Sequence, residues 1–166
     1  MRWQPSEGTC GECGFDWRMP VGPAIDLVTD APAQVSTALD RAGPTATKSP
    51  EPGTWSANAY AWHLVDVLRI GAERLWHVAL DPTRPLGCWD ENALAVARGY
   101  DALSPVVAGR ALRDAAATWM VAARGVPPDA AIEHEADGMM TAADVIRRNA
   151  HEARHHLMDI GRVTPP

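Results

Sequence analysis

Several side chains able to bind a metal ion lie close together near the end of the chain, in residues 149–161, which read NAHEARHHLMDIG. Two of them, His151 and His155, are four residues apart. On an α-helix this spacing places both side chains on one face, about one turn apart, so that both imidazoles can reach one ion. An ion held by such a pair needs at least one more ligand from elsewhere in the chain.

His63 is the best candidate for that third ligand. It falls on or beside the apolar face of a predicted helix, together with Ala59, Val67 and Ile70. A lone histidine in this position is usually a core residue, but the downstream pair strengthens the case for a ligand. Three imidazoles on one side of an ion leave a position open for water or substrate, as in a catalytic site.

The helical positions of His156 and Asp159 do not favour them as direct ligands of this ion. His156 lies about 100° around the helix from His155, so we expect it to face away from the ion, at the surface or between helices. Asp159 continues the ridge of His151 and His155. It could therefore hold the free nitrogen of His155 by a hydrogen bond, as carboxylates often do for metal-binding histidines.

The same stretch matches HExxH, the zinc-binding helix of many metalloproteases, in which the glutamate is a general base. The metzincin form also needs glycine and histidine where this chain has Met158 and Gly161. No strand is predicted that could hold an extended peptide. We therefore disfavour a protease, and we expect Glu152 to be a solvated charge or a hydrogen-bond partner of a ligand.

A second candidate metal site begins at the sequence CGECG, residues 10–14. This turn is half of a zinc knuckle, because its backbone lets Cys10 and Cys13 face one ion. Cys88 and a histidine could complete a structural site. In the alternative interpretation Phe15 and Trp17 pin the turn to the core, and the thiols have no role.

Apolar periodicity and capping residues predict four helices, at residues 31–42, 55–80, 104–124 and 141–160. Asp30 and Pro32 mark the start of the first helix, and Ser56 is a plausible N-cap of the second. Residues 81–104 form a long connector with a short helical run at 91–98, and residues 126–140 are expected to be a loop. With no convincing alternating strand, the fold class is all-α, an antiparallel four-helix bundle.

The composition limits the classes of partner. A chain of 166 residues suits one core, here a bundle over residues 24–166 with an N-terminal CxxC segment, residues 1–23, packed on it. The net charge is −6 without a run of Lys or Arg, which disfavours nucleic acid and anionic membranes. The start has no apolar signal region, and three cysteines give no disulfide framework. We expect a cytoplasmic protein, and a homodimer is compatible with the sequence.

The segments WSANAYAWHLVDVLR and DGMMTAADVIRRNAHEARHHLMDIGR resemble the DinB-like superfamily of metal-binding four-helix bundles. That group includes the metal-binding domain of mycothiol-dependent maleylpyruvate isomerase and the bacillithiol and mycothiol S-transferases. The N-terminal CGECGFDW followed by this bundle is similar to an actinobacterial subgroup. The resemblance implies a three-histidine metal site at His63, His151 and His155, with zinc as the expected ion and nickel as the alternative.

The resemblance also implies an activity, a metal-dependent thiol S-transferase. The ion would convert the thiol of mycothiol, or of a similar small cosubstrate, into a thiolate that attacks an electrophilic carbon. Arg148 or Arg154 could bind the polar groups of such a thiol. Two alternatives remain open: a non-catalytic metal-binding bundle with a stress-related role, and a metallohydrolase that activates water.

Overall fold

The computed structural model describes residues 8–164, in which four long helices form a bundle. The elements, in chain order, are α1 (Val21–Ala42), α2 (Ala57–Leu80), α3 (Glu91–Arg98), α4 (Pro105–Gly125), β1 (Ala131–His134), β2 (Gly138–Thr141) and α5 (Ala142–Val163). Both α1 and α2 pack against α4 and α5, whereas α1 and α2 hardly touch each other and lie on a diagonal. The predicted four-helix bundle with a long connector is confirmed. Of the predicted segments 1–23 and 24–166, residues 1–7 and 165–166 lie outside the described residues.

Three of the four bundle helices begin at the residues that their sequences indicate. Ser56 accepts a hydrogen bond from the amide of Ala59 and so caps α2. Ser104 caps α4, which has proline at its first position. Thr141 and Asp144 form a complete capping box at the start of α5.

The first helix is longer than predicted, because α1 begins at Val21 and contains Pro32 in its interior. The prediction of a start near Asp30 was wrong. Apolar residues continue at helical spacing upstream of the proline, and they are buried against the bundle. The burial of Ala24, Ile25 and Val28 offsets the hydrogen bond that proline cannot donate, so tertiary packing overrides the local stop signal.

The expected loop between the last two bundle helices contains a β-hairpin, which the sequence analysis missed. Strands β1 and β2 pair antiparallel, with Ile132 opposite Met140. Gly138 follows the turn with φ +76, a conformation that suits glycine. Leu86 of the connector bonds to the outer edge of β1 through the carbonyl of Glu133, 2.7 Å from its amide. The hairpin and connector thus form one wall beside α2 and α5.

The connector is fastened to α2 by buried polar groups. Asn58 donates through Nδ2 to the carbonyls of Tyr100 and Leu103, each at 2.9 Å. The Tyr100 hydroxyl donates to Asp66 at 2.6 Å, and Arg98 also pairs with that carboxylate. A buried carboxylate needs such partners, so the connector lies in one fixed position over the helix.

Helices α2 and α5 approach closely at Gly71. A β-carbon built at this position would lie 2.3 Å from Oδ1 of Asn149, so only glycine fits. The same Oδ1 accepts a hydrogen bond from Nε1 of the fully buried Trp119, at 2.8 Å. The contact links α2, α4 and α5 just before the cluster of candidate ligands in α5.

The segment at residues 8–20 packs on α5. Arg154 donates to the carbonyl of Cys13 at 2.8 Å, and Arg147 donates to the carbonyl of Met19 at 2.9 Å. Phe15 is fully buried in the core. None of the helices within residues 8–164 is long and apolar enough to cross a membrane.

Candidate metal centre

Helix α5 carries two pairs of candidate ligands, each with i,i+4 spacing. His151 and His155 form one pair, and Glu152 and His156 form the other. Because the pairs are offset by one residue, they point in directions about 100° apart. The first pair faces the N-terminal segment, and the second faces α2.

The pair that faces α2 meets His63. One ligand atom each from His63, Glu152 and His156 lies within 4.8 Å of the others. Oε2 of Glu152 is 3.6 Å from Nε2 of His63 and 3.1 Å from Nε2 of His156. A carboxylate therefore lies between two imidazoles from facing helices.

The ring of His156 is held in place from behind. Its Nδ1 lies 2.9 Å from Oδ2 of Asp159, so Nδ1 carries the proton and donates it to the carboxylate. Nε2 lies 3.1 Å from Oε2 of Glu152 and donates to it in the metal-free protein, and loss of that proton would free Nε2 to bind a metal ion. His156 lies between α5 and α2, one of the two positions expected for it, but there it meets His63, with ring centroids 4.7 Å apart. Asp159 was expected to hold His155, whose Nε2 is instead 3.7 Å away, beyond hydrogen-bond distance.

The electrostatics favour a carboxylate anion among imidazoles. Burial would raise the pKa of Glu152, but the neighbouring imidazoles of His151, His156 and His63 outweigh it and hold that pKa well below its usual value. Burial would likewise lower the pKa of His156, but its bonds to Asp159 and Glu152 raise that pKa to about 9. Glu152 is thus held as an anion beside a protonated imidazole, and a divalent ion would take the place of that proton.

The donor set fits a divalent metal ion. Two imidazoles and one carboxylate are the protein ligands of several catalytic zinc sites, which leave a further position open. His63 is 3% exposed, and its Nδ1 has no hydrogen-bond partner among the described residues. The ring nitrogen of His63 that faces Glu152 is the other one, Nε2, which is therefore the atom placed to bind an ion.

The group opens onto a cavity of about 400 Å³ between α2, α5 and the connector. Two tryptophans form part of its wall. Trp89 stacks on the ring of His63 with centroids 5.7 Å apart, and Trp55 contacts the same ring at 5.1 Å. Cys88 lines this cavity, but it is exposed and belongs to neither group of candidate ligands.

The other end of the cavity carries charged groups. Asp137 contacts Nδ1 of His134 at 3.0 Å and Nη1 of Arg148 at 3.4 Å. Arg74 donates to the carbonyl of Gly87 at 2.6 Å, and within residues 8–164 it forms no ion pair. Burial lowers the pKa of Arg74 from its usual value, which reflects the cost of keeping this cation out of water. An unpaired guanidinium in a cavity is suited to an anionic ligand.

The other pair in α5 meets the two cysteines of the N-terminal segment. One ligand atom each from Cys10, Cys13, His151 and His155 lies within 4.8 Å of the others. The predicted set of His63, His151 and His155 is therefore divided between two groups. The side chains of His151 and His155 face the N-terminal segment, whereas His63 lies on α2. Arg154 holds the backbone of Cys13, whereas Arg148 lines the cavity.

The chain matches the family model of the DinB superfamily over residues 26–160. It belongs to the DinB superfamily. This match covers most of the bundle, including α2 and nearly all of α5. No curated protein sequence matches the chain.

A solved structure with the same fold is that of YfiT from Bacillus subtilis, described as "a probable metal-dependent hydrolase with an unusual four-helix bundle topology". The TM-score is 0.80 at 16% sequence identity, and the match covers 98% of this chain and 91% of that chain. At this identity the likeness establishes the fold.

Proposed function

We propose that this DinB-superfamily chain is a metal-dependent enzyme whose ion is held by His63, Glu152 and His156, and that it hydrolyses a small anionic substrate. The observation that carries the proposal is the position of these three groups, which converge at the wall of a 400 Å³ cavity. A bound divalent ion supplies Lewis acidity, which lowers the pKa of a water molecule or thiol that reaches it.

The residues around the ion have distinct tasks. Asp159 fixes the ring of His156, so that Nε2 faces Glu152 and His63. Trp55 and Trp89 shield the site from bulk water and offer flat apolar surface to a substrate. Arg74 binds a carboxylate or phosphate group at the far end, which positions the reactive bond near the ion.

Hydrolysis is favoured by the donor set and by the comparison. Two histidines and a glutamate are the set found in zinc hydrolases such as thermolysin. The description of YfiT as a probable metal-dependent hydrolase supports the same reaction class. With one carboxylate ligand, the metal-loaded site has a charge of about +1, whereas a site with three neutral imidazoles has a charge of about +2. The electrostatic stabilisation of a thiolate is therefore weaker at this site.

A thiol S-transferase is the second candidate, with mycothiol or a similar thiol as cosubstrate and zinc or nickel as the ion. It is supported by the resemblance to thiol-dependent relatives and by Arg74, which could bind a carboxylate of such a thiol. The two candidates differ in their response to added thiol. A thiol that competes with water for the open position inhibits hydrolysis, whereas S-transfer requires the thiol and speeds up with it.

The test combines metal analysis with an activity screen. Wild type and the His63→Ala, Glu152→Ala and His156→Ala variants are loaded with Zn²⁺ or Ni²⁺, and bound metal is counted per chain. We expect each variant to lose about one ion per chain. Ester and amide substrates that carry an anionic group are then offered with and without a small thiol, and the rate is followed against thiol concentration.

His77 supplies a matched control, because it also lies on α2 but outside the cavity and outside both groups. His77→Ala should keep the full metal content and rate. Wild-type metal content in His63→Ala would show that His63 is not a metal ligand and would contradict the proposed site. Full metal occupancy without turnover on any substrate, with or without thiol, would leave a non-catalytic binding protein.

A further inference from the structure

We infer that Cys10, Cys13, His151 and His155 form a second metal site, which binds zinc in a structural role and fastens the N-terminal segment to α5. This site is separate from the one in the proposed function, because it shares no ligand with it. Two cysteines and two histidines are a frequent ligand set of structural zinc. The four ligand atoms already lie within 4.8 Å of one another, and Sγ of Cys10 is 3.8 Å from Nδ1 of His155.

The turn that holds the cysteines has the backbone of a metal knuckle. The amide of Gly14 donates to the carbonyl of Cys10 at 2.9 Å, and the amide of Cys10 donates to the carbonyl of Phe15 at 2.8 Å. Gly14 has φ +67, which allows the chain to reverse directly after the second cysteine.

The two histidines are already held by their surroundings. Trp17 lies on the ring of His151 with centroids 4.5 Å apart, and Phe15 packs against its edge at 5.6 Å. His151 is 6% exposed, and its Nε2 has no hydrogen-bond partner among the described residues. An ion bound by this nitrogen would satisfy an otherwise unpaired buried atom.

The charge and the coordination indicate a structural ion. Two thiolates neutralise a dication, and two neutral imidazoles add no charge, so the loaded site is neutral in its partly buried position. Four protein ligands complete a tetrahedron and leave no open place for a substrate. His151 and His155 line the cavity from one side and neither Cys10 nor Cys13 does, so the sulfur ligands lie outside the space open to a substrate.

The experiment uses the full chain with Cys88→Ser, which leaves Cys10 and Cys13 as the only two cysteines. The protein is purified under reducing conditions, loaded with Zn²⁺ and titrated with a mercurial reagent beside a zinc indicator. We expect one zinc ion to be released for every two thiols that react. Release of no zinc, or two cysteines already joined as a disulfide in the zinc-loaded protein, would overturn the assignment.

Cobalt distinguishes the two sites, because only this one contains sulfur. Co²⁺-loaded Cys88→Ser should show a thiolate-to-metal charge-transfer band in the near ultraviolet. The band should persist in His63→Ala, which tests the other site, and should be lost in Cys10→Ser. Cys10→Ser should also bind about one metal ion fewer per chain. A band that survives in Cys10→Ser with unchanged intensity, or is lost in His63→Ala but not in Cys10→Ser, would show that the ligands are others.

Discussion

Replacing Gly71 by alanine should destabilise the bundle, although alanine is the better helix former. The new β-carbon would lie 2.3 Å from Oδ1 and 2.9 Å from Cγ of Asn149, so Asn149 must move. Its movement breaks the hydrogen bond from Trp119, whose indole N–H is fully buried. The change thus combines steric overlap with an unpaired buried donor.

Each contribution has a known scale. Overpacking costs about 1–3 kcal/mol, and an unpaired buried donor costs about 1–3 kcal/mol. The gain in helix propensity from glycine to alanine is about 1 kcal/mol. The free energy of unfolding should therefore fall by about 3 kcal/mol. For a chain of this length that corresponds to a fall in melting temperature of about 6–12 °C.

The assay is urea unfolding of wild type and variants at the same metal content, followed by far-ultraviolet circular dichroism. Gly161→Ala is the matched control, because Gly161 is exposed in α5 and a β-carbon there meets nothing within 4 Å. We expect that control to gain up to about 1 kcal/mol. In a Trp119→Phe background Gly71→Ala should cost less, because no indole donor remains to be left unpaired. Gly71→Ala at least as stable as wild type would refute the reasoning.

The structure predicts the effects of three further substitutions. Tyr100→Phe removes a donor to the buried carboxylate of Asp66 and should lower the free energy of unfolding by about 1–3 kcal/mol, measured in urea. Thr141→Ala removes the side chain that accepts from the amide of Asp144 and should cost about 1 kcal/mol in the same assay. In steady-state kinetics, Arg74→Gln should raise KM for an anionic substrate about tenfold or more with little change in kcat. The reason is that a hydrogen bond to a charged group contributes about 1.5–3 kcal/mol. An unchanged KM would show that Arg74 does not bind the substrate.

Most of the bundle could be predicted because its signals are local. Ser56, Ser104 and Thr141 each stand directly before a helical apolar pattern, and each is an N-cap in the structure. The early part of α1 was missed because Pro32 is a strong local stop signal, whereas the packing that overrides it involves distant helices. The hairpin was missed because its two strands have only four residues each, and Ile132 and Met140 are their only buried apolar residues.

The site was predicted in part. His63 and the end of α5 do come together, and the set of His63, His151 and His155 stays a prediction. The ligand atoms grouped most closely with His63 are those of Glu152 and His156. Glu152 and His156 have the same i,i+4 spacing, and this second pair was the signal that could have identified them. The approach of Cys10 to His155 had no such signal, because it joins residues 145 positions apart.

The contact between the N-terminal segment and α5 also determines when that segment can fold. The residues that hold it, among them Arg154 and His155, follow Cys13 and Cys10 by 141 and 145 positions. During synthesis the segment has no docking surface until almost all the described chain has left the ribosome, since α5 is its partner. Contacts of this range close large loops and form late. Both thiols therefore stay accessible to oxidants and to competing metals until α5 has been made and folded.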